Sequence, residues 1–148
     1  MFCGNGGSAA DAQHLAAELV GRSAERGVPL AGLALTTDSS VLTAVANDED
    51  YGEVFVRQIR ALGLVGDTLV AISTSGRSVN VVRGATVARG LGLHVVALVG
   101  PSPCDLDEFA EVCIHLPGSS SGSIQQGHLL VGHVICEIVD GALSALPV

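Results

Sequence analysis

Short apolar runs alternate along this chain with segments of helical spacing, and that alternation restricts the fold more than any other feature. Ala31–Thr36, Thr68–Ser73, His94–Val99 and Val112–Leu116 each read as a buried strand, and Met1–Gly4 as the end of another. Helical segments fall between them. One runs from Ser8 to about Arg22, with Ser8 as N-cap and Asp11 at N3 in the manner of a capping box. A loop over 23–30 follows, containing Gly27 and Pro29. Asp38-Ser39-Ser40 caps a helix to about Ala46, and Tyr51–Leu62 places Val54, Phe55, Ile59 and Leu62 on one face. Further helices are predicted after Ser78 to about Arg89, over Asp105–Ala110, and from Ile124 to about Leu146. Strands that are apolar on both faces and joined through helices imply an α/β fold: about five mainly parallel strands covered on both sides. Ligands in such sheets bind beyond the carboxyl ends of the strands.

Composition narrows the function. The 148 residues fit one domain, and 48% apolar content with 3% aromatics calls for an aliphatic core. Seven basic residues, all Arg, stand against fifteen acidic ones, a net charge of −8. That argues against a nucleic-acid groove and against anionic membranes. The absence of Lys excludes a Schiff-base lysine and a P-loop lysine. No run approaches the ~18 apolar residues of a spanning helix, and Met1-Phe2-Cys3-Gly4 lacks the n- and h-regions of a signal peptide. Cys3, Cys104, Cys113 and Cys136 form no CxxC pair and read as reduced thiols of a cytoplasmic protein.

Two strand-to-helix loops carry the chemistry. Gly4-Asn5-Gly6-Gly7-Ser8 lets the backbone approach a ligand closely and opens a helix whose free N–H groups attract anions. Read as Gly4-x-Gly6-x-x-Ala9, it also matches a dinucleotide fingerprint, with Asp38 as the ribose-binding acid. The second loop, Ser73-Thr74-Ser75-Gly76-Arg77-Ser78, offers four hydroxyls where one would cap the helix. Hydroxyls, backbone N–H groups and a helix N-terminus together suit a phosphate. A dinucleotide would not need this second loop, which favours a phosphorylated small molecule.

His14 and Glu18 are i, i+4 on the first helix and share a face. They fit a surface ion pair, an acid–base pair, or zinc ligation together with a second His. His133 lies among apolar residues of the terminal helix, where a core role is equally open, while His128 points some 140° away and reads as structural. His94 and His115 sit in strands as packing or surface residues, and Asp48-Glu49-Asp50 reads as a solvated turn.

Taken together, these stretches resemble the phosphoheptose isomerases of the sugar-isomerase (SIS) domain superfamily. The matching residues are Cys3–Ser8, Gln13-His14 with Glu18, Thr37-Asp38, Ala46-Asn47-Asp48, Gly66-Asp67, Ile72–Gly76, and Ile124-Gln125-Gln126 with His133, in family order. The resemblance implies a three-layer α/β/α sandwich, flavodoxin-like, with 1–148 as a single SIS domain. Relatives carry helices before the first glycine loop, so it implies that this chain starts inside the family's first strand, exposes an apolar face and assembles poorly alone. It implies a homotetramer with active sites between subunits and a phosphorylated seven-carbon sugar as substrate. Sedoheptulose 7-phosphate would become a heptose 7-phosphate in the first step of nucleotide-heptose synthesis.

By the same resemblance, Ser73, Thr74, Ser75 and Ser78 hold the phosphate, with Asn5, Gly6 and Ser8 nearby and Asp38 and Gln125 on the sugar. Glu18 is the general base and His133 its acid–base partner. His14, Glu18, Gln125 and His133 are the ligands for one zinc per subunit. Helical phase places Gln126 nearer the face of His133, while the family motif points to Gln125. Arg77 and Gly122 stand where relatives differ, so the role of Arg77 and one sugar contact are left open. Non-catalytic SIS proteins that bind phosphosugars or the replication initiator share the fold but lack the acid–base pair. Glu18 and His133 favour the enzyme, whether for this phosphosugar or another.

Overall fold

The computed structural model describes residues 1–22, 29–101 and 103–144. Four apolar runs pair side by side and in parallel: β1 (Phe2–Gly4), β2 (Thr68–Ser73), β3 (His94–Val99) and β4 (Val112–His115). The register sets Cys3 beside Ala71, Ala71 beside Ala97, and Ala97 beside Cys113. Side chains alternate across the sheet, so each strand feeds two cores. Cys3, Leu69, Ala71, Val95, Ala97 and Val99 face one way. They meet Val54, Phe55 and Ile59 of α3 (Val54–Leu62) and Val81, Ala85 and Ala88 of α4 (Val79–Gly90). Phe2, Val70, Ile72 and Leu98 face the other way. There they meet Ala12, Leu15 and Ala16 of α1 (Gly7–Arg22) and Cys136 of α5 (Ser121–Ser144). The expected three-layer sandwich and its aliphatic core follow.

The expected fifth strand is reduced to one residue. Ala34 bridges Phe2 in parallel through Phe2 N–H to the Leu33 carbonyl (2.8 Å) and Leu35 N–H to the Phe2 carbonyl (2.9 Å). β1 is three residues long, and the Leu35 carbonyl is taken by the Gln58 side-chain amide (2.9 Å), so pairing goes no further. The edge order is therefore Ala34, β1, β2, β3, β4. The chain leaves β1 in one direction across the sheet and leaves β2 in the other. A doubly wound sheet opens its ligand crevice at that switch point, here between the loops after β1 and β2.

Several boundaries moved. α1 starts at Gly7, and the Gly6 carbonyl accepts from Ala9 and Ala10 N–H (3.1 and 3.2 Å); Gly6, at φ +56, takes the place expected of Ser8. Asp38 caps α2 (Ser39–Asp48) as expected, accepting from Val41 N–H at 3.0 Å. The predicted Tyr51–Leu62 helix splits into a 3-10 turn, Tyr51–Glu53, and α3. The short helix after Cys104 is a 3-10 turn, Asp105–Glu108. α5 begins at Ser121, ahead of the predicted Ile124. Gly27 and the Ala145-Leu146 end of the terminal helix lie outside the described residues.

Candidate active site

The two loops meet at the switch point. Asn5 and Asn80 exchange side-chain hydrogen bonds of 2.8 and 2.9 Å, and the Tyr51 hydroxyl reaches Asn5 Oδ1 at 3.3 Å. Asn80 is buried at the start of α4. Neither it nor Tyr51 stands out in the sequence, because their role depends on β1 and β2 being neighbours. Asp50 belongs to the same strut: the turn expected to be merely solvated holds Arg83 Nη1 at 3.1 Å, which keeps the Asp50 carboxyl below its ordinary range.

In the hydroxyl loop, Ser73 Oγ lies 3.1 Å from Ser78 Oγ and 3.4 Å from Ser75 Oγ. The hydroxyl of Ser78, the N-cap of α4, makes no capping hydrogen bond, and Ser75 Oγ accepts from Arg77 N–H at 3.2 Å. Gly76 turns the chain at φ +62, a conformation that strains other residues. Arg77 leaves the loop: its Nη2 donates to the Pro103 carbonyl (2.9 Å) and its Nε sits 3.7 Å from Asp105. Ser8 is buried beside the first loop, and Asp38 stands at its helix cap. The Gln125 amide lies over Gly7, where a Cβ would come within 2.6 Å of it.

About two turns along α1 and α5 from that contact, the ionisable residues converge. His14 Nε2 and His133 Nε2 are 2.8 Å apart across a sequence separation of 119, with the rings edge-on at 71°. Glu18 Oε1 is 3.7 Å from His14 Nε2, and ligand atoms of all three residues lie within 4.8 Å of one another. Parallel packing of the two helices makes this possible. Leu15, on the inner face of α1, fits against Gly132 of α5 and sets His14 opposite His133. The three residues open on a groove of about 830 Å³ with Leu130, Val134 and Glu137. Gln125 stays with Gly7 and is not brought into this set, and Gln126 is exposed.

His128 is fully buried, pointing away from His133 as its helical phase predicts, and among the described residues neither ring nitrogen makes a hydrogen bond of full geometry. Burial pushes its pKa down from the ordinary 6.5, with the Val99 backbone and then Asp11 opposing in part. Burial likewise pushes the Asp11 carboxyl up, against the pull of His128 and His14.

His115 departs from its expected packing role. Its ring joins Cys104, Asp107 and Cys113 in a second compact group of ligand-type atoms, all within 4.8 Å of one another.

Comparison with known proteins agrees with this geometry. Residues 1–100 match the family model for the SIS domain. The phosphoheptose isomerase of Rhodospirillum rubrum is 51% identical over 145 residues, covering 98% of this chain and 77% of the relative. That of Akkermansia muciniphila is 51% identical over 140 residues, covering 95% and 74%. Among solved structures, phosphoheptose isomerase GmhA from Neisseria gonorrhoeae superposes with a TM-score of 0.87 at 44% identity, over 95% of this chain and 74% of that one. A phosphoheptose isomerase from Francisella tularensis gives 0.89 at 34% identity, over 95% and 75%. The chain belongs to the SIS-domain family and, within it, to the phosphoheptose isomerases.

Proposed function

We infer that this protein is an aldose–ketose isomerase that converts sedoheptulose 7-phosphate to D-glycero-D-manno-heptose 7-phosphate, the first step of nucleotide-heptose synthesis. The observation that carries the reading is the meeting of His14, Glu18 and His133 within 4.8 Å, in a chain half identical to phosphoheptose isomerases. Moving a carbonyl from C2 to C1 requires one group to carry a carbon-bound proton and another to service the oxygens.

In this mechanism Ser73, Thr74, Ser75 and Ser78 hold the phosphate against the N-terminus of α4, with Asn5, Gly6 and Ser8 closing the crevice. Asp38 and Gln125 orient the sugar hydroxyls. Glu18 removes a proton from C1 while His133 protonates O2, giving the enediol. His133 then takes the O1 proton as Glu18 returns its own to C2. Protons and electrons balance without an external oxidant. His14, 2.8 Å from His133, fixes the ring by a shared hydrogen bond in which one Nε2 donates and the other accepts.

Two imidazoles and a carboxylate suit zinc, and His14, Glu18 and His133 would hold it, whereas Gln125, which the resemblance adds to the ligand set, lies over Gly7 about two turns away. Bound there, zinc would polarise the carbonyl oxygen as a Lewis acid. Ligation and proton transfer then compete for Glu18, because a carboxylate tied to zinc is a weaker base than a free one.

A homotetramer with active sites between subunits accounts for two further features. The groove is open, with 48% of the His14 side chain exposed, whereas an enediol needs shielding from water. Its α5 wall continues into an exposed apolar stripe, Leu130, Val134 and Ile138. We place the protein in the cytoplasm, where free thiols such as its four persist, and no described helix is long and apolar enough to cross a membrane.

The test is incubation of sedoheptulose 7-phosphate with the zinc-supplied protein in D2O. The wild type is expected to yield the aldose with deuterium at C2, and Glu18→Gln to slow this by about 10²–10⁴-fold. Wild-type protein that leaves the substrate both unconverted and undeuterated would overturn the reading and favour a phosphosugar-binding role.

A further inference from the structure

The stretch from Cys104 to His115 gathers two thiols, a carboxylate and an imidazole from a 3-10 turn and the strand after it. Cys113 and His115 are i, i+2 on β4 and share a face. Cys104 precedes the turn and Asp107 lies within it. The turn is tied internally: Cys104 N–H donates to Asp107 Oδ2 (2.9 Å), and Asp107 N–H donates to the Cys104 carbonyl (3.2 Å). Folding the turn against β4 brings one ligand atom from each residue within 4.8 Å of the others.

The hydrogen bonds of His115 show what this space is suited to hold. His115 Nδ1 lies 3.0 Å from the Gly100 carbonyl, which can only accept, so Nδ1 carries the proton. In the neutral ring Nε2 is then a lone pair, and it points at Asp107 Oδ1 2.7 Å away, also an acceptor. At that distance the two atoms share a proton, and a metal ion bound by both would take the proton's place as they spread to about 3.3 Å. Two sulfur atoms within 4.8 Å of them bring four donor atoms around one point, which lets a metal ion compete for that place. A metal-bound histidine also characteristically donates its other ring N–H to a backbone carbonyl.

We propose that Cys104, Asp107, Cys113 and His115 form a four-coordinate site for zinc or a similar borderline-soft divalent cation, separate from the His14–Glu18–His133 groove. The two-sulfur, one-nitrogen, one-oxygen set suits a closed tetrahedral centre and not magnesium or calcium, which take oxygen ligands. Binding involves no redox change. Both thiols lose their protons to solvent as the metal–sulfur bonds form.

The site would brace the hydroxyl loop. The Cys104 side chain fills the space left by the missing Cβ of Gly76, Leu106 N–H donates to the Gly76 carbonyl (3.2 Å), and Arg77 is tied to Pro103. A cation that fixes Cys104 therefore fixes the turn of the loop.

Cobalt(II) titration of the reduced full-length chain tests this, because thiolate ligation produces sulfur-to-cobalt charge-transfer absorption that imidazole and carboxylate ligands cannot. We expect that absorption, together with tetrahedral d–d bands, in the wild type and equally in His133→Ala. We expect it to fall by about half or more in Cys113→Ser, which keeps one of the two thiolates, along with weaker metal binding and loss of metal protection of position 113 against a thiol reagent. Undiminished absorption in Cys113→Ser would overturn the proposal. So would its absence from the wild type or His133→Ala, or a Cys104–Cys113 disulfide that persists in reductant. The wild-type and His133→Ala spectra decide the matter should Cys113→Ser fail to fold.

Discussion

Two groups of ligand-type side chains lie among the described residues, and they are assembled in opposite ways. His14, Glu18 and His133 come from two helices, the histidines at a sequence separation of 119, and they meet where Leu15 seats against Gly132. Cys104, Asp107, Cys113 and His115 come from one short stretch and need little more than a turn closing on a strand. The first group depends on the packing of a whole layer, while the second depends on local geometry and would in return stabilise its surroundings if metal binds. Perturbations of the helix layer and of the turn should therefore separate.

The largest expected separation is catalytic. His133→Gln should lower kcat for sedoheptulose 7-phosphate by about 10²–10⁴-fold with a smaller change in KM. The cobalt–thiolate absorption of the other group should be unaffected. Equal damage to both would mean the two groups are coupled.

Chelation should act the other way round. With metal at about 100 Kd, the turn site would add about 2.7 kcal/mol, and stripping it should lower the melting temperature by about 5–11 °C. Cys113→Ser should lack this increment and respond less to chelator, as differential scanning calorimetry would show.

Gly132→Ala tests the packing directly. Its Cβ would fall 2.5 Å from a Leu15 methyl carbon in a fully packed layer, costing about 1–3 kcal/mol. Urea denaturation should show that loss and kinetics a reduced kcat, because α5 must move and carry His133 with it. An unchanged kcat would mean that this fit does not set the histidine pair.

The smallest effect is in pH dependence. Because the folded His128 has a pKa below 6.5, the unfolded chain takes up a proton first as pH falls, and this residue's contribution to stability declines below about pH 6.5. Asp11, whose folded pKa is raised, works in the opposite sense at lower pH, taking up its proton in the folded state first. His128→Gln should flatten the fall in melting temperature between about pH 6.5 and 5.

β2 and β3 were legible to the residue, since strands buried on both faces leave an uninterrupted apolar run bounded by turns. Ala31–Thr36 looks the same in sequence, but its only partner is a three-residue strand and its Leu35 carbonyl goes to Gln58, neither of which is a local signal. The His14–Glu18 pair was visible as helical spacing; its link to His133 required either the fold or the family resemblance. The Cys104 group was missed because Cys113 and His115 read as ordinary strand alternation. Its signal was present as Cys-x2-Asp-x5-Cys-x-His, which means little until the turn closes.

The tethering of Arg77 to Pro103 also bears on how fast a ligand arrives. If the hydroxyl loop holds the phosphate as proposed, then with the Arg77 guanidinium engaged elsewhere it offers dipoles, and dipoles act at short range. The chain meanwhile carries a net −8 and repels a phosphorylated sugar at a distance. Capture should then quicken as added salt screens that repulsion, the reverse of what a cationic funnel gives.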